Sequence, residues 1–200
     1  MKPFKLGVTG GIGSGKSVAC KILEALGVPV YYADDRAKTL LVENEEVKNQ
    51  IISLFGRESY EGTRLNRAYL ANRVFADPEE LSKMNAAVHP AVAIDFEHFV
   101  AKHANKPLVA KEAALLFETG SYKELDHTIA VLASKEVRIN RVLMRDTHRS
   151  KEQIIQIIEK QTSDAKRKKL ANTILHNSGT ELLIPQVMNV YHMIVKLASN

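Results

Sequence analysis

Residues 10–17 read GGIGSGKS, the spacing G-x-x-x-x-G-K-[ST] with which a chain holds phosphate groups. Glycines let the backbone turn with several N–H groups directed inward, and no side chain obstructs an approaching anion. A helix beginning directly after the loop adds unpaired N–H groups at its positive end. Lys16 is then placed to reach the β- and γ-phosphates of a nucleoside triphosphate, and the Ser17 hydroxyl to ligate a Mg²⁺ ion bridging the same oxygens. Gly11, Ile12, Gly13, Ser14 and Gly15, with Val18 just beyond, complete the expected nucleotide-binding segment.

A phosphate cradle does not by itself say what is done with the triphosphate. Switch GTPases read guanine with N-K-x-D, whereas the only Asn-Lys pair here is NKPL, with Leu108 where the acid belongs, and no D-x-x-G occurs. The short chain shows no sign of a motor or helicase. A small kinase remains, in which an insertion and a basic segment close over two substrates and exclude water. Arg138, Arg141, Arg145 and Arg149 recur at spacings of three, four and four, so the first three share one helix face. Arg141 and Arg145 are read as cations for the transferring phosphoryl group, because one lysine does not neutralise its spreading charge. Arg138 is read as part of a solvated helix face. If the acceptor is an alcohol, a base must take its proton. Asp34 and Asp35 follow the strand-like VPVYYA, at the carboxyl edge where parallel sheets bind ligands, and one of them fits that role. The alternative for Asp35 is the N-cap of a helix beginning near Arg36.

The elements that must position these groups are legible in outline. FKLGV reads as a strand, SVACKILEAL as a helix stopping at Gly27, and VPVYYA as a second strand, which together make a βαβ unit. Polar helical patterns then run from Arg36 to about Lys106, with turn signals at Gly56 and Gly62. Strand-like PLVAKEA, HTIAVLA and NTILH follow, and a last helix covers roughly 180–198. An α/β fold is expected: a parallel sheet flanked by helices over 1–36 and 107–200, a helical insertion over 37–106, and a short lid over 138–150.

Composition agrees with that class. The chain has 200 residues, 45% hydrophobic and 26% charged, with a net charge of +5; this describes a soluble globular protein with room for a core. No run of eighteen apolar residues is present, and MKPFKLGVTGG breaks into glycine too early for a signal segment, so a cytoplasmic protein without membrane partners is expected. The single cysteine, Cys20, excludes an internal disulfide framework and reads as a core residue. KRKK at 166–169 is the only dense basic run and reads as a solvated helix end, so no nucleic-acid partner is expected. The seven histidines show no metal-ligand spacing.

Taken in order, TGGIGSGKS, YYADDRA, LNRAYLANRVFADPEE, MNAAVHPAV, ALLFETG, RVLMRD, Gln161 and ILHNSGT resemble the dephospho-CoA kinase family over nearly the whole chain. The resemblance implies a P-loop kinase core, a helical CoA domain inserted after the second strand, and a lid. It implies phosphorylation of the ribose 3′-hydroxyl of dephospho-CoA by ATP with Mg²⁺, the last step of coenzyme A synthesis, by a monomer or weak homo-oligomer. It carries the catalytic aspartate onto Asp34, the lid arginines onto Arg141 and Arg145, and the asparagine near the adenine onto Asn177. It carries acceptor contacts onto His89, Pro90 and Glu118. Three departures stand out: Tyr32 replaces the first acid of a D-A-D motif, Val18 replaces a threonine, and Ala114 replaces a proline. Glu112 is either an acid near the metal or a salt bridge at the rim. Two rivals stay open, a kinase of another small molecule and a non-catalytic ATP-binding module.

Overall fold

The computed structural model describes residues 2–198, apart from the side chains of residues 75, 76 and 78. Strand β1 (Phe4–Thr9) is followed by helix α1 (Lys16–Ala25) and strand β2 (Val30–Tyr32). Leu6 and Val8 of β1 are fully buried, as expected of a strand covered on both faces. Next come α2 (Ala33–Glu43), α3 (Glu45–Phe55), the short strands β3 (Tyr60–Glu61) and β4 (Arg64–Leu65), α4 (Arg67–Ala76) and α5 (Pro78–Lys102). The chain then resumes with β5 (Leu108–Glu112), β6 (His127–Leu132), α6 (Lys135–Arg145), α7 (Lys151–Lys160), α8 (Asp164–Leu170), β7 (Thr173–His176) and α9 (Leu183–Ala198).

Five strands form one sheet in the order β2-β5-β1-β6-β7, and every neighbouring pair is parallel. β1 therefore sits in the middle. Because the strands run one way, the segments leaving β1, β5, β6 and β7 emerge at the same edge. On one face α1 and α9 contribute Ala19, Cys20, Leu23, Val187, Val190 and Ile194 to a core shared with Leu6 and Val8. Cys20 is thus a core residue, and burial, reinforced by Glu112, pushes its thiol far up. A second cluster joins Ile139 and Val142 of α6 to Ile154 of α7, with Ile12 packed against it.

The chain divides into two compact units, one up to Tyr32 together with the segment from Val100 onward, the other Ala33–Phe99. The sequence reading set the divisions at 36/37 and 106/107. Within the second unit, the helical pattern that runs from Arg36 to the turn at Gly56 is broken in two at Asn44, whose side chain accepts from the Val47 N–H and caps α3. Asn66 caps α4 in the same way through the Tyr69 N–H. The antiparallel pair β3–β4 stands where only helices and turns were expected. Two-residue strands are too short for an alternation pattern to register. Among the described residues no helix is long and apolar enough to cross a membrane.

His127, at the start of β6, lies 2.8 Å from the Thr173 hydroxyl of β7, and burial lowers its pKa below that of a free histidine. The unfolded chain therefore binds this proton more readily than the folded one. The stability that neutral His127 contributes is present above about pH 6.5 and is lost as pH falls through the lower folded value. His127→Gln should show a smaller drop in urea midpoint between pH 7.5 and pH 5 than the parent. Equal drops would remove His127 from the pH dependence.

Candidate functional site

The site is built where β1, β5, β6 and β7 end. The glycine-rich loop leaves β1 and runs directly into α1, whose first residue is Lys16. Gly15 caps that helix with φ 100°, and its carbonyl accepts from the N–H groups of Val18 and Ala19 at 3.0 and 3.1 Å. A β-carbon there would both strain the backbone and strike the side-chain amide of Asn177. Asn177, just beyond β7, uses that amide to donate to the Ser14 carbonyl at 2.8 Å, while its own N–H donates to the Leu132 carbonyl at 2.8 Å. Asn177 is thus held by the end of β6 and in turn holds the loop.

Lys16 Nζ lies 3.1 Å from a carboxylate oxygen of Glu112. Sheet register explains the meeting, since Glu112 ends β5 opposite Val8 of β1 and Tyr32 of β2. Glu112 is 5% exposed, so it forms a buried ion pair and not one at the rim. Ser17 and Val18 are exposed in the first turn of α1. Tyr32 shares a hydrogen bond with Glu24 of α1, and burial pushes its phenol well up. The residue standing in place of an acid is therefore a neutral packing group tied to α1.

The three arginines of α6 are graded by burial. Arg138 is 4% exposed, which overturns its reading as part of a solvated face. Its Nε donates to the Ile12 carbonyl at 2.9 Å, and its guanidinium lies 3.6 Å from Asp164. It can pack there because Gly11 has no β-carbon to displace it. Arg141 is half-buried and donates to Asn177 Oδ1 at 3.4 Å. Arg145, which ends the helix, is exposed and pairs with Asp146 through two bonds of 2.8 and 3.0 Å. Arg149 lies beyond the helix, 3.3 Å from the same aspartate. So Arg138 and Asn177 bond the loop, Arg141 bonds Asn177, and Arg145 is engaged by Asp146.

Asp34 and Asp35 belong to the first turn of α2, which begins at Ala33. Asp35 is therefore inside the helix, not its N-cap, and its carboxylate pairs with Lys38 at 2.7 Å. The strand stops at Tyr32 because Ala33 and both aspartates enter the helix at once, and acids in a first turn suit its dipole. His89 and Pro90 lie inside α5, which continues on both sides of them; His89 is half-buried and Pro90 exposed. The structure thus puts His89 mid-helix, directly before the internal Pro90. Glu118 follows β5, and its carboxylate accepts from the Thr162 N–H at 2.9 Å. Burial opposes its charge, but the bond from Thr162 prevails and holds the carboxyl below its usual range.

Two contacts of the loop and its lysine lay beyond sequence reasoning. Gln161 accepts from the Ile12 N–H at 2.9 Å, a pairing across 149 positions that no local signal announces. Glu112 as the partner of Lys16 follows only once the register of β1 and β5 is known.

A protein-family model described as dephospho-CoA kinase matches residues 4–182. A dephospho-CoA kinase of Bacteroides fragilis is 36% identical over 187 residues, covering 94% of this chain and 91% of that protein. One of Salinibacter ruber is 42% identical over 178 residues, covering 88% and 89%. Among solved structures, a dephospho-CoA kinase from Campylobacter jejuni superposes with a TM-score of 0.69 at 26% identity, covering 96% of this chain and 97% of that one.

The geometry makes one residue decisive. Gly15→Ala should bind ATP at least about tenfold more weakly by equilibrium titration, since a forced left-handed alanine costs roughly 1–3 kcal/mol before the clash with Asn177 is counted. A folded variant with unchanged affinity would separate this turn from nucleotide binding.

Proposed function

The chain belongs to the dephospho-CoA kinase family, and from that premise we propose which of its residues move the γ-phosphoryl group of ATP onto the ribose 3′-hydroxyl of dephospho-CoA. That transfer completes coenzyme A. The observation that carries the assignment of roles is the glycine-rich loop opening α1 at the carboxyl edge of the parallel sheet, with Lys16 paired to Glu112. Phosphoryl transfer asks little covalent chemistry of a protein and much positioning and charge stabilisation.

Backbone N–H groups of Gly13, Gly15, Lys16 and Ser17 cradle the phosphates, and Lys16 moves its charge from Glu112 toward the β- and γ-phosphate oxygens. Ser17 and Glu112 offer a hydroxyl and a carboxylate, hard oxygen donors of the kind Mg²⁺ takes beside waters and substrate phosphates. The donor set fits. When bound, the ion would neutralise charge on the phosphates. Arg141, next to Asn177, supplies a cation to the transferring group, and Arg145 adds a second from the end of α6. Asn177 borders the adenine.

Asp34, two residues beyond the end of β2, is the general base. As the 3′-oxygen bonds to phosphorus, its proton passes to the Asp34 carboxylate, and ADP leaves with the electrons of the broken bond on its β-phosphate. His89 and Pro90 of α5, with Glu118, are assigned to the acceptor.

The test is Mg²⁺-dependent ADP release with dephospho-CoA, adenosine, AMP, CMP or no acceptor. Release with dephospho-CoA alone, and a product heavier by one phosphate, is expected; release with a nucleotide instead would redirect the acceptor assignment. Asp34→Asn should lower kcat by about 10²–10⁴ with the KM for ATP within a few-fold. Near-normal turnover would exclude Asp34 as the base.

A further inference from the structure

Both backbone polar groups of Ile12 are held by side chains from distant elements. Its N–H donates to Gln161 Oε1 at 2.9 Å, and its carbonyl accepts from Arg138 Nε at 2.9 Å. The same Gln161 oxygen lies 3.4 Å from Arg138 Nη2, so the two holding groups are bonded to each other. The Ile12 side chain packs against Ile139, Val142 and Ile154 of the α6–α7 pair. Backbone and side chain are thus fixed together.

The holding groups are themselves anchored. Arg138 is 4% exposed and Arg167 of α8 is 1% exposed, and both address the Asp164 carboxylate, at 3.6 and 3.0 Å. Gln161 occupies the link between α7 and α8, and the next residue, Thr162, is tied through its N–H to Glu118. A rotamer change at Gln161 or Arg138 would break a charge-assisted contact in a desolvated place, where lost partners are costly.

We infer that Gln161 and Arg138 are positioning residues for ATP: they clamp the N–H and the carbonyl of Ile12, and with them the peptide planes on either side of it, and so set the orientation of the following N–H groups that receive the phosphates. Ile12 contributes no N–H to the phosphates, because Gln161 takes it; it contributes two fixed peptide planes, one on each side of its α-carbon, from which the loop turns on through Gly13 to Gly15. The clamp needs an acceptor of glutamine length at 161 that serves two donors. A glutamate meets that requirement and adds charge opposite Arg138. Leucine fills the volume without accepting, and asparagine keeps the amide one methylene short.

The inference rests on the loop binding ATP, and equilibrium ATP titration tests it independently of the acceptor. Gln161→Leu and Gln161→Asn should each raise the ATP Kd and the KM for ATP by about tenfold, the size of one lost hydrogen bond. The KM for dephospho-CoA should stay within twofold, and Gln161→Glu should restore ATP affinity to within about threefold of the parent. A merely structural role would instead lower the melting temperature and leave affinity in the folded fraction unchanged. Unchanged ATP Kd in folded Gln161→Leu or Gln161→Asn, equal rises in both KM values, or failure of Gln161→Glu to rescue would each overturn the clamp. If the parent bound ATP but released no ADP with dephospho-CoA, the acceptor assignment would fall and the clamp would still be judged by the Kd values.

Discussion

A loop whose ligands are backbone N–H groups cannot aim them by choosing rotamers; its peptide planes have to be held by something else. Here the holding is done by hydrogen bonds with side chains far along the chain: Gln161 on the Ile12 N–H, Arg138 on the Ile12 carbonyl, and Asn177 on the Ser14 carbonyl across 163 positions. Glycine is what makes the approach possible, since the guanidinium of Arg138 and the amide of Asn177 occupy volume that β-carbons at Gly11 and Gly15 would fill. Absence of side chains in the loop and presence of these side chains around it are one device. The parallel sheet serves it by delivering the ends of β1, β5, β6 and β7 to a single edge.

Much of this was legible from residue types and spacing, because the decisive signals are local. GGIGSGKS lies within eight consecutive residues, and strand-loop-helix context confirms it without any long-range knowledge. The five sheet strands are apolar runs, which burial on both faces demands. What escaped has a common cause. Arg138 on a helix looks like any solvated arginine until the partners that stabilise it in a desolvated place are known, and those are Ile12 and Asp164. Asn44 and Asn66 cap helices through their own side chains, yet an asparagine within a polar stretch gives little warning. The β3–β4 pair is shorter than the period it would need to show. Position after the second strand narrowed the expected base to Asp34 or Asp35, and family resemblance chose Asp34; the roles proposed for His89, Pro90 and Glu118 came from resemblance alone.

The grading of α6 shows how one helix serves both structure and chemistry. Three arginines spaced three and four apart necessarily share a face. Burial separates them all the same, because the face slopes away from the loop: Arg138 at 4% exposed, Arg141 half-buried, Arg145 with 64% of its side chain exposed. A guanidinium stays charged wherever it lies, so the buried one must be paired, and it is paired with the loop carbonyl and Asp164. A cation committed in that way has no freedom to follow a moving phosphoryl group. Arg141 is half released, bonded to Asn177 at 3.4 Å, and among the described residues Arg145 is bound to its sequence neighbour Asp146. The cost of exchanging partners falls along the helix in the same order, since surface ion pairs are worth little and desolvated ones cannot be broken cheaply. The innermost arginine is therefore fixed to the loop, and the outer two keep the freedom that the roles proposed for them require.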